Sequence, residues 1–336
     1  MGFPHHSELM HHSDRALAGA SYDPKKLVLT YAGATAAVML LTTVASYLLD
    51  SHISGTGGLS GLAMRSMLET AIQVLQTGVS LIVPFWTFGY LSCMLKISRG
   101  QNFTLSNLAD GFRHFGPVLR LTLIRWGYFL LLAMLCLYPS MMIFLWTPLS
   151  QPFQAILEPY IGGDTTQVVL DDATLNAATE TLLPMFLIYA VIYLAIAAPK
   201  FYSYRMAEYC LMDNPKAGAL MAIRRSGAML HKKRLALLKL DLRFWWFYLL
   251  DGLTMALCYG DTLLALVGIS LPMDQQVAYF AFYLLYLIGQ LALYVWAKNK
   301  VECTYAGVYE GLKAELDEKL RQLMAEQTEM NNPQDE

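Results

Sequence analysis

Long runs without charge limit what this chain can fold into. No charged residue occurs from Leu27 to Leu49, from Ala71 to Leu95, from Leu182 to Ala198 or from Val277 to Ala297. The run from Leu121 to Trp146 carries one, Arg125, near its start. A stretch of roughly 18 or more apolar residues can cross the hydrocarbon core of a bilayer as a helix. Inside lipid every backbone amide must be satisfied within its own segment, so such runs form helices. A β-barrel is excluded, because it needs short segments that alternate apolar and polar side chains. Only 15% of the 336 residues are charged, against about 25% in a soluble domain.

These runs predict an all-α polytopic membrane protein with about six transmembrane helices, near 27–49, 71–95, 121–146, 182–198, 235–259 and 277–297. The fifth is the least apolar. Pro84 and Pro139 fall inside the second and third, where proline removes a backbone bond and kinks a helix. The apolar stretch Thr262 to Leu271 is too short to cross and reads as a re-entrant or interfacial piece. Around a membrane domain over 23–303, the sequence predicts a disordered tail over 1–22, an amphipathic helix over 304–326 and a disordered end over 327–336.

Lysine and arginine set the orientation of such a chain. On the successive flanks of the six runs they number 3, 1, 5, 0, 10, 0 and 5, with Arg65 alone on the poor side. This asymmetry predicts that both termini lie in the cytoplasm, and the localisation expected for the chain is a plasma membrane. The opposite loops are acidic, with Glu158, Asp164, Asp171, Asp172 and Glu180 in one and Asp261 and Asp274 in another. The first run is too long for the apolar part of a cleaved signal peptide and is read as a retained span.

Two segments on the basic side are amphipathic. In the first, Thr104 is a capping residue, and Leu105, Leu108, Phe112 and Phe115 recur at helical spacing. In the second, Asn214 and Pro215 open a helix. Leu220, Ile223 and Leu230 are its apolar positions, and Arg224, Arg225, Lys232, Lys233 and Arg234 its cations. Such a helix suits the membrane surface, its apolar face in the headgroup layer and its cations on anionic lipid. The same cations suit a protein partner. Towards the C-terminus Tyr305, Val308, Leu312, Leu316, Leu320 and Leu323 form a stripe. Glu315 with Lys319 and Asp317 with Arg321 are spaced as i,i+4 pairs. The stripe fits packing on the other basic-side helices, or a two-helix seam that would make a homo-oligomer.

Few residues suggest chemistry. Asp251 stands in the otherwise apolar stretch Phe244 to Tyr259, and a carboxylate within a span is a candidate proton or cation relay. It could equally be hydrogen-bonded to a neighbouring span, and Gln290 is a candidate partner. Lys239 and Arg243 share a face at the basic end of that run, where long cationic side chains snorkel to the headgroups. His5, His6, His11 and His12 lie on a polar segment that offers no held geometry, so no metal site is expected. Asp164, Asp171 and Asp172 lack a calcium-loop pattern. The five cysteines, Cys93, Cys136, Cys210, Cys258 and Cys303, show no paired spacing and read as apolar packing residues. Phosphate-loop, zinc-protease and serine-hydrolase motifs are absent, so no enzyme activity and no cofactor are expected. A net charge of -2 without a reader fold argues against nucleic-acid binding.

Several stretches between Pro199 and Leu312 carry a resemblance. They are Pro199-Lys-Phe-Tyr-Ser-Tyr-Arg-Met-Ala-Glu-Tyr, Asp213-Asn-Pro, Ala222-Ile-Arg-Arg-Ser, Met229-Leu, Leu240-Asp-Leu-Arg-Phe-Trp-Trp and Thr304-Tyr-Ala-Gly-Val-Tyr-Glu-Gly-Leu. Together they resemble the bacterial integral-membrane domain of unknown function numbered nine-seven-five, which the first 198 residues match only in layout. The resemblance implies a multi-span bacterial membrane protein and no particular activity. His231-Lys-Lys-Arg stands where that pattern has a glycine, Asp251 where it has an uncharged residue, and Pro148 to Thr181 is an insertion.

The expectation from sequence is a non-enzymatic scaffold or accessory subunit whose basic face binds anionic lipid or a protein partner. A transporter component using the kinked second and third spans with Asp251 is the alternative, and a lipid-acting membrane enzyme is a third reading.

Overall fold

Helices make up all the regular structure in a computed structural model that describes residues 6–53, 59–151, 172–260, 263–264 and 275–331, and no strand occurs among them. The helices are α1 (His6–Ala18), α2 (Pro24–Ile53), α3 (Leu59–Ser98), α4 (Asp110–Arg113), α5 (Phe115–Trp146) and α6 (Asp172–Tyr204). They continue with α7 (Ala207–Asp213), α8 (Gly218–Met229), α9 (Arg234–Arg243), α10 (Trp245–Leu257), α11 (Gln275–Leu293) and α12 (Asn299–Asn331). A 3-10 turn, Leu105–Ala109, leads into α4, and a π-helical turn, Tyr294–Lys298, joins α11 to α12.

Among the described residues, five stretches are long and apolar enough to cross a membrane: Pro24–Ala45, Ser80–Ser98, Phe115–Trp146, Pro184–Asp213 and Val277–Gln327. The fifth expected run, 235–259, is not one helix. It breaks at Phe244 (φ -96, ψ 18) into α9 and α10. Lys239, Asp241 and Arg243 make the first half polar, and the 13 residues of α10 are fewer than the roughly 20 a bilayer requires. The sixth run does not stop before the C-terminal helix but continues into it through the π turn. That helix extends to Asn331, past the expected end at 326.

The N-terminal segment also differs from expectation, being helical rather than disordered. Leu9 and Ser13, four residues apart, are the buried positions of α1, which packs against α12 and α3. The Ser13 and Thr304 hydroxyls lie 3.1 Å apart, and Lys300 pairs with Asp14 at 2.8 Å. The apolar stripe of α1 is too small to announce a helix, and it is α12 that covers it. Glu158, Asp164, Asp171, Asp261, Asp274, His5 and most of Thr262 to Leu271 lie outside the described residues.

Contacts divide the chain into two units, 1–119 with 206–336, and 120–205. In the first, α3 is central, and α1, α2, α7 and α12 all pack on it. Its buried face includes Phe85, Phe88, Tyr90, Met94 and Ile97. The segment after α3 folds back onto it at two glycines. A Cβ on Gly89 would stand 1.9 Å from the Leu108 carbonyl oxygen, and one on Gly111 would stand 2.0 Å from that of Phe85. Asp110 fastens the contact by accepting hydrogen bonds from Ser92, Lys96, Asn107 and Arg113 at 3.1–3.2 Å. Of the expected stripe only Leu108 is buried. Phe112 and Phe115 stack on Phe85 with their outer faces exposed. In the second unit the rings of Tyr128 and Phe129 meet Tyr204 edge-on at 5.5 and 6.1 Å. Its outward face is rich in exposed apolar side chains such as Leu130, Met134 and Leu194, which suits helices sheathed by lipid. Four of the cysteines, all but Cys258, are buried.

Candidate functional site

The basic segment is built on α8. Asn214 and Pro215 start a 3-10 turn that ends at Gly218, whose φ of +80° lies in the left-handed region that favours glycine. α8 then buries Ala219, Ala222, Ser226 and Met229. The Ser226 hydroxyl accepts the Met206 N–H at 3.2 Å and ties α8 to the start of α7.

This placement separates the five expected cations. Arg225 forms an ion pair with Asp317 at 2.8 Å, and Lys233 forms one with Glu315, so both are engaged by α12. Arg224 and Lys232 are exposed. Arg234 is half-buried, and its Nε has no partner among the described residues. Two expected pairs within α12 fare differently. Glu315 does bond Lys319, at 2.7 Å. Asp317 faces Arg225 rather than Arg321, which instead lies 3.9 Å from Glu318.

Lys232 has a φ of 65°, within the segment that stands where the resembled pattern has a glycine. Beyond it, Lys239 and Arg243 on α9 are exposed. Leu220 and Met221 beside Arg224, and Leu235, Leu242 and Trp245 beside the α9 cations, are all more than half exposed. Exposed apolar and cationic side chains therefore lie side by side on this surface.

A second cluster joins three helices. At the end of α3, Arg99 donates from Nη2 to Asp213 at 2.7 Å and to Glu310 at 2.6 Å, with Nε also on Glu310 at 2.9 Å. Lys313 and the Tyr309 hydroxyl donate to the other Asp213 oxygen at 2.6 and 2.7 Å. Burial works against the guanidinium charge, but its hydrogen bonds to the Asp213 and Glu310 carboxylates outweigh this and raise its pKa above the ordinary arginine value. Two of the stretches behind the resemblance, Asp213-Asn-Pro and Thr304 to Leu312, meet at this joint. Sequence reasoning passed over Arg99, because a cation at the end of a span also reads as a topology signal.

The third cluster brings the expected intramembrane pair together. Gln290 Nε2 donates to Asp251 Oδ1 and to the Tyr294 hydroxyl, both at 2.9 Å. The Thr254 hydroxyl faces Gln290 Oε1 at 2.6 Å and the Asp251 carbonyl at 2.8 Å. Gly289 permits this approach, since a Cβ there would stand 3.1 Å from the Thr254 methyl. One turn further on, Lys298 Nζ lies over the Tyr294 ring at 4.0 Å and faces the Tyr31 ring at 5.4 Å. Tyr31 stacks on Tyr90 at 4.6 Å, and Tyr90 donates to Asn299 at 2.8 Å. Thr254 and Tyr294 were legible in principle, three residues after Asp251 and four after Gln290. Lys298, directly after the sixth run, reads in sequence only as a tail cation. A carboxylate held by one neutral amide can accept a proton or a small cation. Among the described residues no group of three or more His, Cys, Asp or Glu side chains is placed to hold a metal.

Compared with known proteins, the chain matches one family model, described as protein of unknown function (DUF975), over residues 25–312. No curated protein and no solved structure matches it. The matched region extends well before Pro199 and includes α3 and Arg99, which follows it.

Proposed function

The chain belongs to the DUF975 family, and we propose that it is a non-enzymatic scaffold or accessory subunit of a bacterial plasma membrane, with both termini in the cytoplasm. Its α8–α9 surface holds anionic lipid, and its C-terminal helix presents an end to a partner. The observation that carries this reading is the division of the basic segment. Arg225 and Lys233 close inward on α12, while Arg224, Lys232, Lys239 and Arg243 stay outward beside exposed Leu220, Leu235, Leu242 and Trp245. Snorkelling cations with apolar neighbours have the chemistry of a headgroup layer. Along α12 the stripe is buried through Leu312 and then emerges, with Leu320, Leu323 and Met324 exposed. That end is available to a partner protein or to a second copy.

The test is reconstitution into nanodiscs of phosphatidylcholine with and without phosphatidylglycerol. Phosphatidylglycerol raises the unfolding midpoint of the wild-type chain, and it fails to do so when Arg224, Lys232, Lys239 and Arg243 are all changed to Gln. An equal rise in both proteins refutes the lipid-binding role. For orientation, single cysteines at Lys216 and Asp164 in a cysteine-free background label from opposite sides of the membrane.

A transport role is the second reading, and the 2.9 Å contact between Gln290 and Asp251 favours it. Asn in place of Asp251 keeps an acceptor for Gln290 but cannot carry charge. Proteoliposomes with a pH-sensitive dye inside then show proton flux for the wild-type chain and none for Asp251→Asn. Equal flux, or none in either, ends that reading.

A further inference from the structure

A cleft with two lobes, of about 460 and about 660 Å³, opens between α1, the end of α3 and α12, and His12, Arg15, Ser98 and Arg99 line both lobes. The lobes differ in charge. The larger also has Glu8 and Glu310 on its wall. The smaller has no carboxylate and adds Ser21 and Gln101 to the shared cations and hydroxyl.

Three observations at the smaller lobe point to an anion. Arg99 is held by Asp213 and Glu310, but Arg15 makes only one polar contact, from Nε to the His11 carbonyl of its own helix at 3.3 Å. Its two terminal nitrogens are therefore unpaired among the described residues. The Ser98 hydroxyl is buried and has no hydrogen-bond partner among the described residues, a state that is unfavourable for a buried polar group. The negative end of the α3 dipole would oppose an anion. However, the N–H groups of Arg99, Gly100 and Gln101 already cover the carbonyls of Leu95, Ile97 and Lys96. The planar fork of an arginine beside an imidazole, a hydroxyl and an amide offers more donors than one carboxylate can use and suits the oxygens of a phosphoryl group. Ser98 also ends a candidate membrane span, which is the depth at which lipid phosphates lie.

We propose that this lobe binds a phosphoryl group, with Arg15 as its charged contact, a ring N–H of His12 as a donor and Ser98 as a hydroxyl donor. The phosphoryl group belongs either to a lipid headgroup or to free phosphate. Inorganic phosphate is titrated onto the full chain in phosphate-free detergent while thermal unfolding is followed, and phosphatidylglycerol retained by the same protein is counted by native mass spectrometry. If free phosphate is the ligand, the midpoint rises with phosphate, Arg15→Gln weakens the apparent affinity at least tenfold, and Arg15→Lys restores part of it. If the headgroup is the ligand, phosphate has no effect, and one retained lipid is lost in Arg15→Gln and in Ser98→Ala. Arg15 is exposed and Ser98 is small, so both variants are expected to fold. The lobe is refuted if Arg15→Gln changes neither readout, or if Lys319→Gln, on the exposed part of α12, lowers them as much. Changes at Arg224 and Lys239 leave this site intact, so its outcome is separable from that of the α8–α9 surface.

Discussion

Arg225 and Asp317 are 92 residues apart in the chain and 2.8 Å apart in space, while Arg224, one residue earlier, faces outward. Successive residues on a helix point about 100° apart, so neighbouring cations serve different surfaces. Both members of the pair are about a third exposed, and a pair so placed contributes modestly. A double-mutant cycle with Arg225→Gln and Asp317→Asn is expected to give a coupling of about 0.5 kcal/mol. Arg224→Gln should leave stability within about 0.5 kcal/mol. Thermal unfolding in detergent measures both.

Arg99 is expected to matter more, because it serves two carboxylates on two other helices and is mostly buried. Arg99→Met leaves Asp213 with Lys313 and Tyr309 but takes both nitrogens from Glu310. The expected loss is about 2 kcal/mol, read as a fall in the unfolding midpoint. Glu310→Gln should cost less, since Arg99 keeps Asp213.

At Gly89 the obstacle is backbone. A methyl there would overlap the Leu108 carbonyl, and a carbonyl in a turn cannot rotate aside as a side chain can. Gly89→Ala therefore displaces the segment from Leu105 to Arg113, at a cost of about 1–3 kcal/mol. Faster tryptic cleavage at Arg113 than in the wild-type chain is the expected sign, and Gly116→Ala, with open space around its Cβ, is the control.

The parts of the fold legible in sequence are those governed by local rules. A bilayer imposes its thickness on each span separately, so the long apolar runs at 27–49, 121–146 and 277–297 announce themselves. A carboxylate among apolar residues stands out, which is why Asp251 and Gln290 could be paired in advance. What escaped notice depends on distant partners. α1 is a helix because α12 covers Leu9 and Ser13, and nothing in residues 6–18 records that. The fifth run reads as continuous because its apolar residues outnumber Lys239, Asp241 and Arg243, yet those three set the break at Phe244. Arg225 and Lys233 look like Arg224 and Lys232 until the position of α12 is known.

Lys232 separates stability from lipid binding. Its left-handed backbone costs a non-glycine residue about 1–2 kcal/mol, partly offset because glycine is freer in the unfolded chain. Lys232→Gly is expected to raise stability by about 0.5 kcal/mol while removing one outward cation. A higher unfolding midpoint together with weaker retention of phosphatidylglycerol is the expected combination.

The central claim is that the outward cations of α8 and α9 hold anionic lipid, whereas the inward ones hold α12. Native mass spectrometry of protein extracted from phosphatidylglycerol-containing membranes, counting lipid adducts, tests it most directly. With Arg224, Lys232, Lys239 and Arg243 changed to Gln, the adducts should fall while the unfolding midpoint in lipid-free detergent holds. With Arg225 and Lys233 changed to Gln, the midpoint should fall while the adducts remain. Unchanged adducts in the first variant would contradict the account.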